Sequence, residues 1–330
     1  MAAGRFYQGG AAVAMRNVIA ISFLAITLSA VAIPATISAQ TSLDKRLDSL
    51  FMIASNGEVK YQAMIKPADD SIVAMGPTVI PRLVSKLGGK SRYERIAIER
   101  ILKRFGAPAV PSLLAVLKYD TGQVVERSCY ILGEIGDTSA TVGLLGTVSN
   151  RRWQARESAI GALGKIKDQR ADSAVITAMN DTIPLVRKSA AVSCGQLQIQ
   201  SSIRHLVHLL GDPFYGARMP AAEALPKLDT PNVVQAICDS MPAENQLLGN
   251  LGCVVLGKIG TTAALDALTE QAFGGSPERR AHAAIALVTA DSTDTRNFRY
   301  FYLGYETDPY SRLKVESAIK AVSHDRVESQ

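Results

Sequence analysis

The chain has 330 residues, 47% hydrophobic and 6% aromatic, with 36 basic against 30 acidic side chains for a formal charge of +6. That length buries a sizeable core, and the charge surplus is local. Between Arg82 and Arg104 eight basic residues stand against Glu94 and Glu99, so the rest of residues 41–330 is slightly acidic and lacks the footprint of a uniformly basic nucleic-acid binder.

Residues 1–40 differ in kind from the rest. They hold Arg5 and Arg16, no acid, an apolar run from Val18 to Ile33, and then Pro34 with the small-residue stretch ATISAQ. This is the charged, apolar, small-residue order of a secretory signal peptide, with Met15 as an alternative start. The apolar run is shorter than the roughly 20 residues a spanning helix needs, so cleavage near Ala39 and export are expected. Removal of 1–40 leaves 34 basic and 30 acidic residues, a formal +4.

Residues 41–75 are more polar and read as an N-terminal helical cap, with Asn56-Gly57 and Pro67-Ala68-Asp69-Asp70 as loop signals. From residue 76 a 31-residue period takes over. It aligns Leu132, Leu163, Cys194, Leu225, Leu256 and Leu287 in one column. Ile135, Ile166, Leu197, Leu228, Ile259 and Ala290 form a second, and Leu113, Leu144, Val175, Leu206, Ile237 and Leu268 a third. A period of this length means identical supersecondary units, each burying its face against its neighbours.

Each period holds two helical segments. In residues 168–198 the first runs from about Ala171 to Met179, a turn follows at Asn180-Asp181-Thr182, and Pro184 opens the second at a position where its missing N–H is harmless. Small residues recur in the middle of the second helices, and Gly133, Gly164, Gly195 and Gly257 recur near their ends, for tight packing or helix termination. Pro220 and Pro226 predict a distorted second helix in the fifth repeat. All four cysteines fall in core columns; Cys129 and Cys253 are too far apart to bridge, and only Cys238–Cys253 stays open as a pairing.

The Asp-to-Arg spacing of Asp181…Arg187 and Asp212…Arg218, with Asn150…Arg156 as a variant, and the ending Leu132-Gly133-Glu134-Ile135-Gly136-Asp137 resemble the short HEAT-like repeat, the type also found in phycobilin lyases. The resemblance covers about 76–322 and implies an all-α solenoid of about seven to eight helical pairs. Repeats then occupy 76–291, and 292–330 form a degenerate, aromatic-rich C-terminal repeat and tail. In such repeats the arginines at 156, 187, 218 and 280 commonly pair with a turn Asp, so the resemblance makes them structural rather than an anion ladder.

No nucleophile elbow, Walker motif or dinucleotide-binding glycine pattern occurs, and the sequence offers no catalytic constellation and no cofactor site. His205 and His208 have metal-ligand spacing with no completing acid one turn away, and the His-Glu dipeptides of the iron-dependent HEAT-like hydroxylases are absent. Trp153 with Arg152 reads as a contact anchor in an inter-helix turn. If the second helices bury the 128, 132 and 135 columns, their other face carries Arg127, Tyr130, Glu134, then Lys165, Val192, Gln196, Glu223 and Lys227. It continues through Leu251, Val254, Lys258, His282 and Ile285. This face has an apolar floor with lysines at its rim, and it suits a polypeptide better than a polyanion.

The expected function is therefore a non-enzymatic scaffold in the cell envelope, periplasmic or extracellular, holding a protein or peptide partner in a concave groove. Two alternatives remain: a phycobilin lyase-like handler of tetrapyrroles, for which Tyr130, Glu134 and His282 are the only acid/base candidates, and a membrane-peripheral spacer using the 82–104 patch on an anionic surface.

Overall fold

The computed structural model describes residues 41–119, 122–241, 245–290 and 298–328. The signal peptide expected at 1–40 lies outside them, and among the described residues no helix is long and apolar enough to cross a membrane. The described chain is helical throughout and divides into two compact units, meeting in sequence at Phe105 and Gly106.

The first unit holds α1 (41–54), α2 (Gln62–Ala74), α3 (Ile80–Ser85) and α4 (Arg92–Phe105). Leu47 and Phe51 of α1, Ile72 of α2, Leu83 of α3 and Ile98, Ile101 and Leu102 of α4 make its core. The expectation of a loop at Pro67–Asp70 is corrected here, because these residues lie inside α2. A proline in a helix interior forfeits one backbone hydrogen bond. Burial of Ala68 and Ile72 and the grip of Arg100 on the buried Asp69, through Nη2–Oδ1 at 3.0 Å, hold the helix across it.

The same contacts revise the reading of the basic cluster. Arg82 and Lys86 both reach Asp48 of α1, at 3.2 and 2.9 Å, and Arg104 pairs with Asp70. Acids of α1 and α2, distant in sequence, answer much of the positive charge that the local count left to Glu94 and Glu99.

The second unit is a run of helical pairs. They are α5 (Val110–Tyr119) with α6 (Gln123–Ile135), α7 (Thr141–Thr147) with α8 (Trp153–Ile166), α9 (Asp172–Ala178) with α10 (Pro184–Leu197), and α11 (Ile203–Leu209) with α12 (Tyr215–Ala224). Then come α13 (Thr230–Ser240) with α14 (Gln246–Ile259), α15 (Thr262–Phe273) with α16 (Pro277–Thr289), and α17 (Phe298–Tyr305) with α18 (Pro309–Glu328). Second helices stack on second helices, α6 on α8, α8 on α10, and so on to α16 on α18.

Two of the three columns are the core, and in the remaining one Ile135, Leu197 and Ile259 are only half-buried. Leu113, Leu144, Val175, Leu206, Ile237 and Leu268 of the first helices are fully buried, as are Leu132, Leu163, Cys194, Leu225 and Leu256 of the second. Apolar burial of this kind is the main stabilising term, about 1.5–3 kcal/mol for each large side chain. The thiols of Cys129, Cys194 and Cys253 are pushed up to about 12 by burial, so they are inert packing groups. All four cysteines are free, with Cys238 half-buried.

The recurrent glycine has a packing cause. A Cβ on Gly133 would lie 2.7 Å from the Ala162 Cα, and one on Gly195 or Gly257 would lie 3.0 Å from the Cβ of Ala224 or Ala286 in the next layer. These glycines sit inside α6, α10 and α14, so close approach of stacked helices, not termination, explains the column. Termination belongs to a neighbouring column, where Gly136, Lys167, Gln198 and Gly260 all take the left-handed conformation at the helix C-cap.

The fifth repeat is distorted as the prolines predict. Its second helix, α12, has 10 residues against 14 for α10 and α14; Pro220 lies within it, and Leu225–Lys227 tightens into a 3-10 turn. At the C-terminal end Phe273, Phe298, Tyr302 and Tyr305 pack together with ring centroids 5.0–6.3 Å apart.

Candidate functional site

The repeat arginines are structural. Arg156 donates from Nε and Nη2 to Asp181 of the next repeat, at 2.7 and 2.9 Å, and from Nη1 to the Asn150 carbonyl at 2.9 Å. Arg187 makes the same set with Asp212 and the Asp181 carbonyl. Arg280 grips Glu306 with both bonds at 2.9 Å. Each carboxylate also accepts a backbone N–H two residues on, from Ile183, Phe214 and Asp308. Burial pushes the Asp181 and Asp212 carboxyls up, but the arginine and backbone donors outweigh it and leave both below the usual carboxylate range.

In the repeat where Gly249 replaces the column arginine, the neighbouring Arg279 fills the space. A Cβ at 249 would lie 2.6 Å from Arg279 Nε, and Arg279 Nη1 donates to the Met241 carbonyl at 2.8 Å. Arg279 of the following repeat thus reaches back to this turn through a backbone carbonyl. His205 and His208 are both exposed on α11, and among the described residues no group of three or more His, Cys, Asp or Glu side chains is placed to hold a metal ion.

The fifteen residues read as a partner face all lie on, or at the ends of, second helices from α6 to α16, and none is buried. Trp153 is corrected from a turn to the first residue of α8, half-buried, with Arg152 as the preceding N-cap. The Asn150 side chain accepts the Arg152 N–H at 2.9 Å, closing the turn just before the helix begins.

The face divides into two halves of different chemistry. In the N-terminal half the groups satisfy one another. Lys165 Nζ lies 2.6 Å from Glu134 Oε1 and 4.7 Å from the Tyr130 ring centroid, a contact between α6 and α8 in 31-residue register. Arg152 pairs with Glu126 at 3.0 Å, Arg127 donates to Gln123 at 3.0 Å, and Gln196 folds over Gly164. Val192 stays exposed among them.

In the C-terminal half the groups are open. Val254 and Lys258 of α14 and His282 and Ile285 of α16 line a pocket of about 400 Å³, together with Gly257, Ala286 and Thr289. His282 is held by Nδ1, 2.8 Å from the Glu278 carbonyl. Leu251 is half-buried one turn before Val254, and Glu223 and Lys227 are exposed on α12 and the turn after it. Neither Lys227 nor Lys258 makes a hydrogen bond or ion pair with any described residue. The sequence reading missed Gly257, Ala286 and Thr289. Thr289 was findable, since it lies one period beyond Lys258, whereas Ala286 reads as core and opens to the pocket only because Gly257 has no side chain.

Stacked two-helix repeats with an Arg–carboxylate clamp between successive units define an α-solenoid of HEAT-like repeats. Residues 143–226 match the family model described as HEAT repeats. No curated protein matches the sequence. Among solved structures the chain is similar to human deoxyhypusine hydroxylase, at 17% identity over 76% of this chain and 99% of that one, with a TM-score of 0.33. It is also similar to YibA of Escherichia coli, at 16% identity over 74% and 95% with a TM-score of 0.46. The CpcE–CpcF complex of phycocyanin lyase from Nostoc is similar at 17% identity over 73% and 94%, with a TM-score of 0.39.

Proposed function

We propose that this protein is a non-enzymatic scaffold of the cell envelope that holds a polypeptide partner along the exposed face of its second helices, a concave groove in this reading. The observation that carries the proposal is the open pocket between α14 and α16, floored by Val254 and Ile285 and flanked by Lys258 and His282. An apolar recess rimmed by polar groups is how protein interfaces are built, with a few anchors supplying most of the affinity. The signal-peptide order of residues 1–40 supports export.

The acid/base candidates work against a chemical role. Tyr130 and Glu134 are drawn to Lys165 on α6 and α8, and His282 lies on α16, with α10, α12 and α14 between. The test is affinity capture from the native envelope extract with the full chain and with Val254→Asp/Ile285→Asp. Selective loss of one retained protein with the variant, at unchanged thermal unfolding, supports the scaffold reading; equal retention by both chains contradicts it.

A further inference from the structure

We infer that the C-terminal half of this face selects acidic segments that carry apolar anchors, in an extended conformation. The inference rests on the groove reading above and adds the chemistry and spacing of the occupant.

Charge is the first argument. In the N-terminal half the lysine at this register, Lys165, is neutralised by Glu134 of the preceding layer. One and two layers beyond Gln196, Lys227 and Lys258 occupy the same register with no acid partner among the described residues, and Lys320 stands at that register on α18. Among the described residues at these face positions the unpaired acid is Glu223, since Glu316 is bonded to Arg312. Three lysines against one carboxylate leave a positive rim beside the apolar floor of Leu251, Val254 and Ile285. Rim charges left without an internal partner select among occupants by sign, because a like charge placed there is repelled.

Spacing is the second argument. Stacked helices lie about 8–10 Å apart, so Lys227 and Lys258 repeat at that interval. A chain in the extended polyproline II conformation rises about 9 Å in three residues and returns its side chain to the same face after those three, whereas a helix needs about six to seven residues to cover the same span. An extended occupant therefore meets successive layers with side chains three residues apart: acids toward the lysine register, and an apolar side chain into the 400 Å³ pocket.

The experiment is selection of random 12-residue displayed peptides on the full chain, on Lys227→Glu/Lys258→Glu, and on Val254→Asp, with thermal unfolding of each as a folding control. The expected result is enrichment of Asp and Glu around a Leu, Ile, Phe or Met anchor at three-residue spacing on the parent chain. On the charge-reversed variant the acidic excess is lost, and the selected acidic peptides bind it at least about tenfold more weakly. Enriched peptides without acidic excess that still require Val254 overturn this inference and leave the groove reading standing. Binding indifferent to Val254→Asp, or no enrichment on a folded parent chain, overturns both.

Discussion

Arg187 holds Asp212 of the following repeat through two parallel hydrogen bonds, Nε–Oδ2 at 2.6 Å and Nη2–Oδ1 at 2.9 Å, while its Nη1 closes on the carbonyl of Asp181 in its own turn. One guanidinium thus ties the turn of its own unit to that of the next, and Arg156 does the same one repeat earlier. Both partners of the Arg187 pair are largely withdrawn from solvent, with side-chain exposures of 16% and 5%. Asp212→Ala strands the guanidinium and frees the Phe214 N–H, and is expected to destabilise the second unit by about 2–4 kcal/mol, read as a lower denaturation midpoint. A loss below about 0.5 kcal/mol contradicts a clamping role.

The C-terminal clamp makes stability depend on acid. Arg280, the Asp308 N–H and the Tyr302 hydroxyl all donate to Glu306, whose carboxyl is lowered to about 2. Because the folded value lies below the ordinary carboxylate value of 4.5, folding favours the ionised form. That contribution is fully present above about pH 4.5 and is lost as pH falls toward 2. Glu306→Gln is expected to lower stability at neutral pH and to flatten the decline between pH 4.5 and 2. An acid-unfolding profile unchanged by the substitution contradicts this.

Two glycine-to-alanine changes inside helices should have opposite signs. Alanine favours a helix by roughly 1 kcal/mol over glycine. At Gly146 of α7 an added Cβ meets nothing within 4 Å, so Gly146→Ala should stabilise by a few tenths to 1 kcal/mol. At Gly133 it lies 2.7 Å from backbone of the next layer, and Gly133→Ala should destabilise by about 1–3 kcal/mol. Melting temperatures of the two variants decide whether the recurrent glycine serves interlayer packing.

Lys167 ends α8 at φ 59 and ψ 38, in the conformation that Gly136 and Gly260 supply without strain at the same register. A side chain there is unfavourable by about 1–2 kcal/mol, partly offset because glycine loosens the unfolded chain. Lys167→Gly should therefore raise stability by about 0.5–1 kcal/mol, measurable by denaturant titration.

The architecture is legible because burial in a stack repeats with the period, so Leu113 through Leu268 and Leu132 through Leu256 read as core from the sequence alone. Contacts that cross repeats or join distant helices were less legible. The pairing of Arg100 with Asp69 and of Arg82 with Asp48 depends on how helices meet, and a local charge count that set the cluster against Glu94 and Glu99 alone could not include those acids. The Pro67 segment reads as a loop by composition, yet tertiary contacts override the local preference. Register shows which side of the second helices stays out of the core, but the division of that side into a self-satisfied half and an open half rests on whether lysines find acids one layer away, as Lys165 does and Lys258 does not.

The most direct measurement is site-specific photo-crosslinking in the native cell, with a benzophenone amino acid at Ile285 in the pocket or at Val142, exposed on the first helix α7. The scaffold account predicts one discrete protein adduct at Ile285, absent at Val142 and lost when Val254→Asp is added. Adducts at Val142 alone, or an Ile285 adduct indifferent to Val254→Asp, contradict it.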